Sequence, residues 1–167
     1  MNILIIADVS LRTSSSGSEQ VLHYQVIHRY ELGDNVTMAG FIPAEQLPKY
    51  YGAADFFVLP TRELEGFGLV TPESMACGTP VLGTPVGGTR EILSGFDSQF
   101  LFKDETPEAM AEGIACAMDN WLNDEERYAW LRCRCREYAE KNYSWQRHVD
   151  QLKSIIDELV AVKGELN

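Results

Sequence analysis

Two glutamates eight positions apart bracket a pair of glycines in the stretch Glu65-Gly66-Phe67-Gly68-Leu69-Val70-Thr71-Pro72-Glu73. Gly66-Phe67-Gly68 lets the backbone aim its amides at a ligand with no side chain in the way. Thr71 is suited to cap a following helix, and Pro72 to fill its first position. Such a helix start offers unpaired N–H groups and a partial positive charge, which suits an anion such as pyrophosphate. Glu73 then falls in the first helical turn, where a carboxylate suits a vicinal diol such as that of a ribose. Glu65, ahead of the glycines, stands at the mouth of the loop. A plainer reading stands beside this one: Glu73 only complements the helix dipole, and the glycines only make a turn.

The elements around this stretch place it. Residues 55–59 read as a strand that Pro60 stops, and residues 71–77 as a helix. Residues 3–7 form a short apolar run expected of a buried parallel strand. Residues 18–32 read as a helix ended by Gly33-Asp34, and residues 35–41 as a second strand. Residues 44–54 suit a short helix, with Pro48 in conflict with its first turn. Further strands are expected at 80–83 and 100–102, with a helical turn or two over 89–93. Three helices follow at 107–122, 124–142 and 144–162, with Thr106 and Ser144 as N-caps and Pro107 at the first helical position.

Strand and helix in alternation predict a three-layer α/β/α domain with a mainly parallel sheet of four to six strands and a helical C-terminus. Residues 36–40, 56–59 and 81–83 are its expected neighbours. The glycine-rich stretch then lies past the C-terminal end of a strand, where open parallel sheets bind ligands.

Composition narrows the partners. The chain has 167 residues, and 14 basic against 25 acidic residues give a net charge of −11. That argues against a nucleic-acid partner and against docking on anionic lipid. No run of about 18 apolar residues is present, and the opening reads as a strand rather than a signal peptide. Cys77, Cys116, Cys133 and Cys135 form no CxxC pair, so zinc and a disulfide framework are not expected. Cys133 and Cys135 should point to different helix faces. His23, His28 and His148 lack the spacing of a metal site or a triad and read as solvated or half-buried. Trp121, Trp130 and Trp145 read as packing residues.

Several motifs occur in order: Glu65-Gly66-Phe67-Gly68, Pro72-Glu73, Met75-Ala76-Cys77-Gly78-Thr79-Pro80-Val81 and Gly87-Gly88-Thr89-Arg90-Glu91-Ile92. Together they resemble the nucleotide-sugar-binding domain of GT-B glycosyltransferases of the family-4 type, a Rossmann-like domain. Glu65 and Glu73 match that family's E-x7-E motif. Residues 36–43 and 50–59 match its upstream segments, and Tyr143-Ser144-Trp145 also looks familial.

The resemblance implies roles. Glu65 would lie beside the donor sugar as the catalytic residue, and Glu73 would bind the donor ribose. Gly66, Phe67, Gly68, Leu69, Val70 and Thr71 would meet sugar hydroxyls and the diphosphate, with Arg62 nearby. The backbone around Phe41 and Ile42 would frame the base. No Asp-x-Asp motif occurs, so no metal and no cofactor are expected, and leaving-group charge falls to amides, a helix dipole and basic side chains. The expected function is retaining, metal-independent glycosyl transfer from a nucleoside diphosphate sugar, with a UDP-sugar the leading candidate. The acceptor would be a saccharide or a lipid, in polysaccharide or glycolipid biosynthesis. The expected location is cytoplasmic, at the membrane's cytoplasmic face where the acceptor is a lipid.

Two departures qualify this. An enzyme of the type needs two such domains, and this chain has room for one. The basic pair that normally binds the diphosphate is missing, and neither Arg62 nor Arg90 matches it. Residues 32–163 are assigned to the donor-binding domain. Residues 1–31 form an opening strand, loop and helix that resemble either the start of the family's N-terminal domain, left by an internal deletion, or a divergent donor-domain strand and helix. In the first case Gly17 would match a phosphate-approaching loop. The chain is then the donor half of the enzyme or, alternatively, a non-catalytic nucleotide-sugar-binding module. Its missing domain would come from a second copy or a separate partner.

Overall fold

The structure is a computed structural model that describes residues 3–5, 17–62 and 67–164. Three short parallel strands form its sheet, in the order β1 (Ile3–Ile5), β2 (Phe56–Leu59) and β3 (Val81–Gly83). Ile3 is in register with Phe56, and Phe57 with Val81. The helices are α1 (Gly17–Arg29), α2 (Leu47–Ala53), α3 (Val70–Ala76), α4 (Gly87–Phe96), α5 (Pro107–Trp121), α6 (Glu125–Tyr143) and α7 (Trp145–Gly164).

The sheet is parallel, as the alternation of elements predicts, and β2 is its centre. All four β2 side chains are buried. Successive strand residues point to opposite faces. Phe57 meets the Tyr51 ring of α2 edge-on at 5.4 Å, whereas Phe56 lies against Tyr128 of α6 at 6.1 Å. Helices therefore cover both faces, as a sheet buried on two sides requires.

Two expected strands are absent from the sheet. Residues 35–41, rich in β-branched and apolar side chains, form turn and coil, with Val36 and Met38 partly exposed. Strand-like side chains alone do not make a strand, which also needs its ladder bonds, and the pairings of the described sheet run only between β1, β2 and β3. Residues 100–102 supply one parallel bridge, Gly83 with Leu101, because a 3₁₀ turn at Ser98–Phe100 ends only there. The sheet thus has three strands among the described residues, fewer than the four to six expected.

The helix ends obey local chemistry. The Thr106 hydroxyl caps α5 by accepting from the Ala109 amide, and Asp124 caps α6 by accepting from the Arg127 amide. The Ser144 hydroxyl accepts from the Arg147 amide at 3.4 Å. Helix α3 stops at Gly78, whose φ of 77° is open to glycine. There the Gly78 amide donates to Met75 and the Thr79 amide to Ser74, the paired bonds of a Schellman motif.

Helix α6 holds the body together. Arg132 donates to the carbonyls of Gly52 and Ala54 at 3.1 and 3.2 Å, where α2 ends, and the Tyr128 hydroxyl donates to Asp55. Arg136 reaches the Cys77 carbonyl past the end of α3. Tyr138 donates to Ile92, and Arg134 to Phe96, at the end of α4. Positive side chains at helix C-termini also oppose the negative end of each dipole. Cys135 faces this core and is buried, while Cys133 is exposed, so the two thiols do face apart. Burial pushes the Cys135 thiol up to about 12. Trp121 is buried and stacks on Trp130, as packing residues should. Trp145 does not pack in the body: it is 84% exposed, at the start of a helix whose described side chains all face solvent. His23, His28 and His148 are exposed.

Replacing Arg132 with alanine should lower stability by about 1.5–3 kcal/mol, since bonds from a charged donor are lost. A reduced urea midpoint at unchanged slope checks this. A second prediction concerns Asp97, which pairs with Arg134 at 3.2 Å. Burial pushes its carboxyl up, but bonds from Gln99 and Arg134 outweigh that and hold it below the usual aspartate range. A lowered folded value gives stability that is present above the unfolded value of about 3.9 and lost as pH falls through the folded one. Asp97→Asn should therefore be less stable than wild type at pH 7, with the gap closing below about pH 4. Thermal melts from pH 7 to 2 read both curves.

Candidate functional site

The C-terminal ends of β2 and β3 feed two loops that meet. Beyond β2 run Pro60, Thr61 and Arg62, and the described chain resumes at Phe67. Beyond β3 run Thr84, Pro85 and Val86, leading into α4. The buried Thr84 hydroxyl donates to the Thr61 carbonyl at 2.5 Å, and the Thr84 amide donates to Leu59 at 3.3 Å. These bonds tie the two exits together.

Further along, both loops approach backbone to backbone. Gly68 is buried with φ of 59°. A Cβ on Gly68 would lie 3.0 Å from the Thr89 nitrogen, and one on Gly88 would lie 2.6 Å from the Phe67 carbonyl atoms. Only glycine admits this approach at either position. Thr71 and Thr89, both buried, share a hydroxyl contact of 3.1 Å.

Helix α3 begins at Val70, with Leu69 at the N-cap and no side-chain cap. Thr71 is therefore not the expected cap. It sits inside the first turn, where its hydroxyl turns toward α4. The Thr71 amide donates to Gly68 at 2.9 Å and the Glu73 amide to Leu69 at 3.1 Å, which curls the loop into the helix. Glu73 occupies the first turn, as expected, and its side chain is exposed. Phe67 and Leu69 stand into solvent at 86% and 64% exposure, above the buried Gly68.

The sequence-assigned residues divide accordingly. Phe67, Gly68, Leu69, Val70, Thr71 and Glu73 come together in one loop and helix start. Glu65 and Gly66 lie outside the described residues. Arg62 is exposed at the near end of that loop. Phe41 is exposed and Ile42 half-buried, in coil rather than beyond a strand. Gly17 opens α1 instead of standing in a described loop. Among the described residues no group of three His, Cys, Asp or Glu could hold a metal ion. Sequence reasoning missed Gly88, Thr89 and Thr84 as parts of the site. The adjacent Gly87-Gly88 after a short strand was the available signal, since paired glycines there mark a close backbone approach.

Comparison with known proteins places the chain. Residues 2–142 match the family described as glycosyl transferases group 1, and the chain belongs to that family. It is 33% identical over 149 residues to a D-inositol 3-phosphate glycosyltransferase of Salinispora tropica, covering 89% of this chain and 30% of that protein. It is 29% identical over 147 residues to the spore coat protein SA of Bacillus subtilis, covering 85% of this chain and 38% of that one. Among solved structures, a sucrose-phosphate synthase from Thermosynechococcus elongatus superposes with a TM-score of 0.74 at 31% identity, over 96% of this chain and 38% of that one. Anabaena HepE in complex with UDP shares the fold, with a TM-score of 0.72 at 23% identity, over 86% and 38% of the two chains. The chain thus spans 30% to 38% of the length of these relatives.

Proposed function

We propose that this chain is the donor-binding half of a retaining, metal-independent glycosyltransferase of the family-4 type that uses a nucleoside diphosphate sugar. The observation that carries the reading is the loop beyond β2: Gly68 in a glycine conformation, curled into α3, with Glu73 exposed in the first turn. Amides of residues 66–70 meet the diphosphate and the sugar hydroxyls; Thr71, expected among them, is instead buried, with its amide on Gly68 and its hydroxyl on Thr89. Glu73 accepts from the ribose diol. Glu65 lies beside the sugar, and Arg62 adds positive charge near the phosphates. The backbone at Phe41 and Ile42 frames the base. No cofactor takes part. A uridine diphosphate sugar is the first candidate donor, a choice supported by the UDP and UDP-glucose complexes of HepE.

In the transfer, the bond from the anomeric carbon to the diphosphate breaks, an acceptor oxygen bonds on the same face, and its proton leaves with the nucleotide. The acceptor is a saccharide or a lipid. Preorganised amides stabilise the departing charge. A second domain must close over the donor to exclude water and position the acceptor.

A non-catalytic nucleotide-sugar-binding module, or a fragment that works with a partner domain, is the second reading.

Two measurements test these readings. Glu73→Ala should weaken UDP binding about tenfold to a hundredfold, as the loss of a charged acceptor costs about 1.5–3 kcal/mol. Equal affinity by isothermal titration would remove Glu73 from the site. The chain alone should transfer radiolabelled sugar poorly, from a panel of UDP-, GDP- and ADP-sugars to lipid and saccharide acceptors. Turnover in the ordinary enzyme range of about 1–1000 per second, lost in Glu65→Ala, would show a complete enzyme instead.

A further inference from the structure

We propose that Gly88 and Thr89, at the start of α4, are positioning residues that hold the donor loop at Phe67–Leu69 in its binding shape. The proposal rests on the reading of that loop as the nucleotide-sugar site. It assigns work to a second loop, one that contributes no donor ligand in that reading.

Thr89 touches three elements at once. Its methyl group fills the space over Gly83 of β3, where a Cβ would come within 2.5 Å of it. Its hydroxyl faces the Thr71 hydroxyl of α3 at 3.1 Å. Its backbone nitrogen and hydroxyl oxygen lie 3.0 and 3.2 Å from the position a Gly68 Cβ would take. Thr89 is 1% exposed, so none of these contacts is shared with solvent.

Gly88 completes the grip. The Phe67 carbonyl carbon and oxygen each lie 2.6 Å from where its Cβ would be, and the Gly68 nitrogen lies at 3.0 Å. Backbone atoms have no rotamer with which to yield, so any side chain at 88 must push the loop away. The exposed Phe67 and Leu69 side chains have little protein to rest on. The loop is held from beneath through Gly68, and the surface beneath is the first turn of α4.

A β-branched residue with one methyl and one hydroxyl suits position 89, because each arm has its own neighbour. Thr89→Val keeps the shape and removes the hydroxyl. Thr89→Ser keeps the hydroxyl and removes the methyl. A residue that only fills space would tolerate valine better than serine. One that holds the loop through its hydroxyl shows the reverse order.

The test is hydrogen exchange on the whole chain, followed at the Thr71 and Glu73 amides, which donate to Gly68 and Leu69. Thr89→Val and Gly88→Ala should speed exchange there at least tenfold while β2 amides keep their protection, and Thr89→Ser should stay within about threefold of wild type. Gly52→Ala is the control, since nothing lies within 4 Å of a Cβ there. UDP titration gives the second readout: Thr89→Val and Gly88→Ala should bind at least tenfold more weakly than wild type and Thr89→Ser. Unchanged loop exchange in Thr89→Val and Gly88→Ala, or unchanged UDP affinity in both, overturns the proposal. A wild type that binds no UDP, GDP or ADP overturns the reading of the loop as a donor site, and the exchange result still decides whether Gly88 and Thr89 hold it.

Discussion

Three helices end against one. Arg132, Arg134 and Arg136 of α6, helped by Tyr128 and Tyr138, donate to the carbonyls that close α2, α3 and α4. The last carbonyls of a helix have no partner within it and must find one in water or in a neighbouring side chain. A single long helix meets that need for three neighbours. Among the described residues the sheet has three short strands and gives little rigidity through its own ladder. Placing α3 and α4 relative to it therefore falls largely to α6.

The consequence reaches the opposite ends of those helices. With their C-termini fixed, the starts of α3 and α4 are brought together beyond β2 and β3. There the packing becomes backbone on backbone, through Gly68 and Gly88, with the Thr71 and Thr89 hydroxyls beside them. The two ends of α3 thus differ in kind. One end is closed by glycine geometry and arginine, and the other leads from a loop whose side chains at Phe67 and Leu69 meet solvent.

Much of this was legible because local chemistry dominates it. Thr106, Asp124 and Ser144 cap helices wherever the chain goes, and an apolar run between a turn and a proline suits a buried parallel strand. The misses share a cause, which is that they depend on distant neighbours. Residues 35–41 have strand-like side chains, but a strand exists only where a neighbour supplies its ladder bonds, and these residues join no pairing of the described sheet. Thr71 has the chemistry of a cap, yet the turn closes earlier through the Gly68 and Leu69 carbonyls, leaving its hydroxyl for Thr89. Trp145 looks like a core residue by type and stands in solvent, since nothing in its own sequence says which surface α7 meets. Thr89 carried no signal alone, because its role comes from Gly83, Gly68 and Thr71, each on a different element.

The α6 arginines hold carbonyl oxygens, which every amino acid carries. Gly52, Ala54, Cys77 and Phe96 are gripped by atoms that do not depend on their side chains. The bond itself therefore asks nothing of the side chain that is held, whereas the residue that holds needs its guanidinium. Packing sets its own demand at some of these joints: Ala54 and Phe96 are buried, and the Phe96 ring lies 4.4 Å from the Arg134 guanidinium. Substitution is freest at Gly52, which is exposed with nothing within 4 Å of where a Cβ would lie, so the end of α2 can change its side chain and keep its seat on Arg132.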